Sequence, residues 1–137
     1  MKNIIDYVKH EMSGFETKKF KAVDSLVLSQ FSYIYFDGLV PGFSSESSPV
    51  RLGDLLKAEH FNTMFKGVMF FENNLNLLYA LAASPRFRDI KMTYYVNKLD
   101  YKQEKQFSAV TYQIDDRTSY ISYRGTDMTF VGWKEDF

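Results

Sequence analysis

Ser108 to Asp127 read SAVTYQIDDRTSYISYRGTD, and the fold turns on how this stretch is taken. In KQFSAVTYQID (105–115) apolar and polar residues alternate, which is the period of a strand with one covered face. SYISYRG (119–125) alternates in the same way. Between them DDRT (115–118) is turn material, because Asp side chains hydrogen-bond readily to nearby backbone. The stretch therefore predicts an antiparallel hairpin. Just upstream, DIKMTYYVNKLD (89–100) alternates well enough for a further strand.

Before residue 89 the period changes to that of helices. Ile4, Ile5, Val8 and Met12 recur at spacings of three and four, which predicts a short amphipathic helix over 2–12, ended by Ser13-Gly14. DSLVLSQFSYIYF (24–36) has no charge after Asp24, so it predicts a largely buried helix with Asp24 as its cap. DGLVPGFSSESSPV (37–50) is rich in Gly, Pro and Ser and reads as a loop. RLGDLLKAEHFNTMF (51–65) predicts a third helix, with Leu52, Leu55, Leu56 and Phe61 as its apolar face. NNLNLLYALAAS (73–84) predicts a fourth, stopped by Pro85. Beyond the hairpin, Phe130, Trp133 and Phe137 fall at helical spacing and mark the start of another helix.

Bulk properties narrow the classes. The chain has 137 residues, enough for one modest domain with a core of its own. Thirteen Phe and ten Tyr favour a packed core or an interface over disorder. Seventeen basic residues balance seventeen acidic ones, which disfavours nucleic acid as a partner. The absence of cysteine removes disulfides, thiolate metal sites and cysteine nucleophiles. Charged residues interrupt the N-terminal apolar run, so it lacks the form of a signal peptide, and the apolar clusters fall far short of the roughly 20 residues needed to span a bilayer. A cytoplasmic protein with no integral membrane segment is the expectation.

The search for chemistry is short. His10 and His60 are the only histidines, and both read as surface residues on helices rather than members of a triad. Asp115 and Asp116 are turn residues. The loop GFSSES (42–47) lacks both the preceding strand and the second glycine of a nucleophile elbow, and no other G-x-S-x-G occurs. No metal or cofactor motif is present, so neither is expected. That leaves Arg124-Gly125-Thr126-Asp127, a strand end running into a helix start. Free backbone N–H groups at such a junction can stabilise an anion developing on a substrate carbonyl. Gly125 permits a tight turn, and Thr126 or Asp127 can cap the helix. The same junction also occurs widely as a plain cap.

Taken together, Tyr120 to Asp136 form the pattern Y-I-S-Y-R-G-T-D-x-x-x-x-x-W-x-x-D. It resembles the class-3 lipase family, in which an aromatic-R-G-[ST] strand end precedes a W-x-x-D on the next helix. SAVTYQIDDRTSYISYRGTD is similar to a bacterial branch of lipase-like proteins of unknown function with a helical lead-in. The resemblance is specific over 107–137 and loose before that. It implies that Thr126 is the oxyanion-hole residue, acting through its backbone N–H. Arg124 and Gly125 fill the motif positions before it. Trp133 and Asp136 fill structural helix positions, with Asp136 a candidate partner for Arg124. The family's nucleophilic serine, acid and histidine lie further along and have no counterpart here.

The fold class implied is α/β. A helical N-terminal lead-in (1–88) is followed by the first, largely antiparallel strands of an α/β-hydrolase-type sheet (89–125) and the start of a helix (126–137). Together these make one partial domain, truncated before the nucleophile strand. The function implied is the N-terminal fragment of a lipase or esterase-like serine hydrolase, inactive by itself, whose parent acts on an ester or acyl substrate. Open strand edges and aromatic faces predict self-association of such a fragment. Two other readings remain: a non-catalytic protein-interaction module, and a small-ligand-binding domain built on the aromatic residues.

Overall fold

The computed structural model describes residues 3–44, 46–100, 102 and 105–125. Its first helix, α1 (Ile4–His10), is started by Asn3, whose Oδ1 accepts the Asp6 amide at 3.0 Å, and it buries Ile4 and Val8 one turn apart. Asp6 in its first turn and Lys9 and His10 in its last complement the helix dipole. Helix α2 (Ala22–Phe31) buries Val27, Leu28 and Phe31 together with Asp24 and Gln30. The helix starts before the expected cap: Lys21 stands at the N-cap, and Asp24 in the first turn reaches back, its Oδ2 accepting the Lys21 amide at 3.0 Å. The helix stops short of Phe36: after Ser32 the amides of Tyr33 and Ile34 reach back only three residues, to the Gln30 and Phe31 carbonyls, and the Ser32 hydroxyl donates to the Leu28 carbonyl at 2.7 Å.

The helix expected over 51–65 is not continuous. Val50–Arg51 form a two-residue strand, β1, followed by 3-10 turns at Leu52–Leu55 and Ala58–His60 and a short α3 (Phe61–Phe65). The reason is local. Leu52 and Gly53 donate their amides to the Ile90 and Arg88 carbonyls at 2.8 and 2.9 Å, which ties this segment to the sheet instead of to its own next turn. Gly53 allows that approach, since a Cβ there would stand 3.1 Å from the Arg88 carbonyl oxygen. Leu52 and Leu55 are nevertheless buried, as the apolar spacing required.

Helix α4 (Phe71–Ala83) follows Phe70, which is left-handed at φ 56°. Buried Asn74 holds the start of the helix, donating to the Met69 and Phe70 carbonyls while accepting Gln30 Nε2 at 3.1 Å. Leu77, Leu78 and Leu81 form its buried stripe.

Strands β2 (Lys91–Asp100), β3 (Lys105–Gln113) and β4 (Ser119–Gly125) join β1 in an antiparallel sheet ordered β1-β2-β3-β4. The predicted hairpin is therefore present, with Ser108 opposite Arg124 and Tyr112 opposite Tyr120. Register shifts between Thr93 and Val96, where Tyr94 has φ 53° and the Tyr95 amide donates to the Pro41 carbonyl at 2.9 Å. That bulge bends β2 over the loop following α2.

Met92, Val110, Tyr112 and Ile114 from the sheet join α1, α2 and α4 side chains in one core, and β1 comes from the mainly helical part of the chain. Residues 3–125 thus combine helices with an antiparallel sheet around a shared interior. Three polar contacts pin the two layers. Tyr112 and Ser32 lie 2.8 Å apart, Tyr120 and Ser29 lie 2.5 Å apart, and Arg124 reaches the carbonyl of Tyr33. The expected helix start at 126–137 lies outside the described residues. No helix among the described residues is long and apolar enough to cross a membrane.

Candidate functional site

Side chains alternate across a strand, so Tyr120, Ser122 and Arg124 share the inner face of β4. Cross-strand pairing sets Ser108 of β3 directly opposite Arg124. The result is a buried guanidinium, only 9% exposed, lying against the loop that leaves α2. Its Nε donates to the Ser108 hydroxyl at 3.0 Å and its Nη1 to the Tyr33 carbonyl at 2.6 Å. The Tyr35 and Tyr33 rings stand 4.9 and 5.6 Å from the guanidinium carbon, within range of cation–π attraction. Nη2 has no hydrogen-bond partner among the described residues. Arg124 lines a cavity of about 170 Å³ together with Tyr33, Tyr35, Val68, Met69 and Gln106.

A second polar cluster stands apart from this one. Arg86, just after α4, is fully buried against Asp24, with Nη2 to Oδ2 at 2.7 Å and Nε to Oδ1 at 3.0 Å. Its remaining hydrogens go to the carbonyls of Ser13, Lys18 and Lys19, and its guanidinium stacks 4.0 Å from the centre of the Phe15 ring. Tyr7 donates to Asp24 Oδ1 at 2.9 Å. Burial first, and then the Asp24 carboxylate, push the Tyr7 phenol up to about 12. Burial opposes the charge on Arg86, but the hydrogen bonds and charge of Asp24 outweigh it and hold the guanidinium above its ordinary value. Every donor of this arginine is used, so the cluster locks α1, α2 and the end of α4 together.

Of the residues carrying the R-G-T and W-x-x-D pattern, Arg124 is the one whose side chain the structure describes, and Gly125 is the last residue of β4. Thr126, Trp133 and Asp136 lie outside the described residues. His10 is exposed, with Nδ1 2.7 Å from the Asp6 carbonyl, and His60 is half-buried, with Nδ1 3.3 Å from the Leu55 carbonyl. Asp115 is exposed and accepts the Arg117 amide at 2.8 Å, as a turn residue does. Among the described residues, no group of three or more His, Asp or Glu is arranged to hold a metal ion.

Sequence reading missed the partners of Arg124 and the Asp24–Arg86 cluster. One signal for the second was present, since Asp24 is the only charge between Ala22 and Phe36. A broader groove of about 650 Å³ runs between α1 and α4, but its polar walls, such as Lys9, Asn73 and Asn76, are exposed. The Arg124 niche is the stronger candidate because its polar group is buried.

A family model described as Mbeg1-like matches residues 81–137, a stretch running from the end of α4 through the three long strands and past the R-G-T-D run. The matched stretch is less than half of the chain. No curated protein and no solved structure matches it.

Proposed function

We propose that this chain is the amino-terminal part of a lipase-like serine hydrolase acting on ester or acyl substrates. In this reading it contributes the oxyanion turn, with the Thr126 backbone N–H as donor, and the nucleophile, acid and histidine come from elsewhere in the enzyme. The observation that carries the reading is the anchoring of Arg124. The residue two before Thr126 is held from both sides, by β3 through Ser108 and by the α2 loop through Tyr33. A rigid strand end of this kind suits a turn whose amide must be preorganised toward a developing oxyanion. The antiparallel sheet among the described residues would be the lead-in to a hydrolase sheet.

The test uses the protein expressed from its full reading frame. A fluorophosphonate probe is expected to label a serine beyond Phe137, while residues 1–137 alone stay unlabelled and inactive. Thr126→Pro removes the proposed donor and is expected to lower esterase turnover by about 10²–10³-fold. No labelling of the full-length protein, or unchanged turnover in Thr126→Pro, would overturn the reading.

A second reading has its own support. Phe107, Ile121 and Tyr123 stand together on the outer face of the sheet, at 47, 59 and 64% exposure. Among the described residues, β4 pairs with β3 alone. An apolar sheet face beside such an edge suits self-association or a protein partner. Light scattering at micromolar concentration is expected to give a dimer or larger species, and Ile121→Lys/Tyr123→Lys a monomer. A wild-type monomer would sink this reading.

A further inference from the structure

Arg86 and Arg124 are both buried guanidinium groups in the same small fold, and the contrast between them is informative. Arg86 faces a carboxylate and three carbonyls and has every nitrogen occupied. Arg124 has two neutral partners, a hydroxyl and a carbonyl, and Nη2 has none among the described residues. A buried charge is costly unless it is paired and hydrogen-bonded, and an orphaned charged donor costs more than a neutral one. Such a group is retained where something arrives to meet it.

We propose that the niche around Arg124 is a binding site for a small monocarboxylate. Size sets the first limit. At about 170 Å³ the cavity lies below the usual range of roughly 300–1,000 Å³ for drug-sized ligands, which restricts the occupant to a few heavy atoms. Charge sets the second. Among the described residues, Arg124 is the only charged one lining the cavity, so one negative charge balances it, whereas a phosphate dianion would be left half-neutralised. Shape sets the third. The Nη1–Nη2 edge of a guanidinium matches the two oxygens of a carboxylate, and after Tyr33 takes one hydrogen this edge still has donors to offer.

The rest of the lining agrees with a carboxylate that carries a short apolar tail. Tyr33 and Tyr35 flank the guanidinium, and Val68 and Met69 provide apolar wall. Gly67 and Met69 are exposed, so the niche opens to solvent on the side of the 66–69 loop. Gln106 is two residues from Ser108 on the same inner face of β3 and lines the cavity as well. The site does not depend on the hydrolase reading, because it uses only groups in the described fold.

The experiment is a titration of the purified chain with sodium acetate, propionate and butyrate at constant ionic strength, against sodium chloride, following the arginine side-chain N–H signals by NMR. A saturable shift of the Arg124 signal is expected with at least one carboxylate, with the Arg86 signal unmoved as internal reference. Arg124→Met is expected to abolish the response. Because that variant also removes the donor to the Tyr33 carbonyl and the Ser108 hydroxyl, Gln106→Glu serves as a second variant. It keeps Arg124 and adds a carboxylate to the niche, and it is expected to weaken acetate binding at least tenfold. The proposal is overturned if no carboxylate gives a saturable shift, if chloride gives the same shift, or if Gln106→Glu binds acetate as the parent does. It is also overturned if Asp127→Asn/Glu135→Gln/Asp136→Asn moves the Arg124 signal as far as acetate moves it in the parent. In that case the chain's own carboxylate is the occupant.

Discussion

Arg86→Met is expected to lower the stability of the fold by about 3–5 kcal/mol, the range seen when one partner of a buried ion pair is removed. Several consequences add up at this position. Asp24 would be left as a buried carboxylate at zero exposure, retaining only Tyr7 and the Lys21 amide as donors. The carbonyls of Ser13, Lys18 and Lys19 would lose the donor that gathers the α1–α2 connection around one point. Methionine fills much of the volume over Phe15, so the effect is mainly electrostatic and not a cavity. Urea unfolding followed by circular dichroism measures it.

The double variant Asp24→Leu/Arg86→Met is expected to be less destabilised than Arg86→Met alone, because it removes the orphaned charge together with its partner. A single-variant loss below about 1 kcal/mol would mean that water or a rearranged side chain compensates Asp24. The cluster would then not be the lock described here.

Phe31→Ala is expected to cost about 3–5 kcal/mol, as truncation of a buried aromatic usually does. Phe31 is the last residue of α2, is fully buried, and packs its ring 5.3 Å from that of Phe36. Its position amplifies the loss. Ser32 and Tyr33 follow it immediately and carry the contacts to Tyr112 and Arg124, so a cavity under Phe31 loosens the seam between helices and sheet. Phe31→Leu keeps most of the volume and is expected to recover most of the stability. Phe43→Ala is the control: Phe43 is 69% exposed, and its loss is expected to stay within about 0.5 kcal/mol. Equal losses for Phe31→Ala and Phe43→Ala in the same urea experiment would contradict this account of the core.

Much of the local architecture was legible in residue order. The spacing of Leu77, Leu78 and Leu81 announced α4, and Pro85 announced its end within two residues of the observed Ala83. The alternation over 105–115 and 119–125, with Asp-rich turn chemistry between, announced the β3–β4 hairpin. These signals are readable because they depend on hydrogen bonds and side-chain periods within a few residues of each other. Where a distant strand competes, they mislead. Residues 51–65 have helical apolar spacing, yet Leu52 and Gly53 spend their amides on carbonyls some 35 residues away, at Ile90 and Arg88.

The candidate site shows the boundary most sharply. Arg124-Gly125-Thr126 was conspicuous as a strand end, and the period of SYISYRG divides its residues into two faces. Period does not say which face turns inward. Hydropathy would favour the face bearing Ile121 and Tyr123, but those two are exposed, and Ser122 and Arg124 are buried. Register with β3 made that choice, since Tyr112 is pinned to Ser32 of the α2 end and its cross-strand partner Tyr120 to Ser29 within α2. The partners of Arg124 then come from as far as Tyr33, 91 positions earlier. The sequence by itself determined α1, α2 and α4, the hairpin and the presence of an arginine at the strand end. Tertiary structure alone decided that this arginine is buried with one nitrogen unpartnered among the described residues, because burial and pairing depend on which surfaces meet, and no local period encodes that.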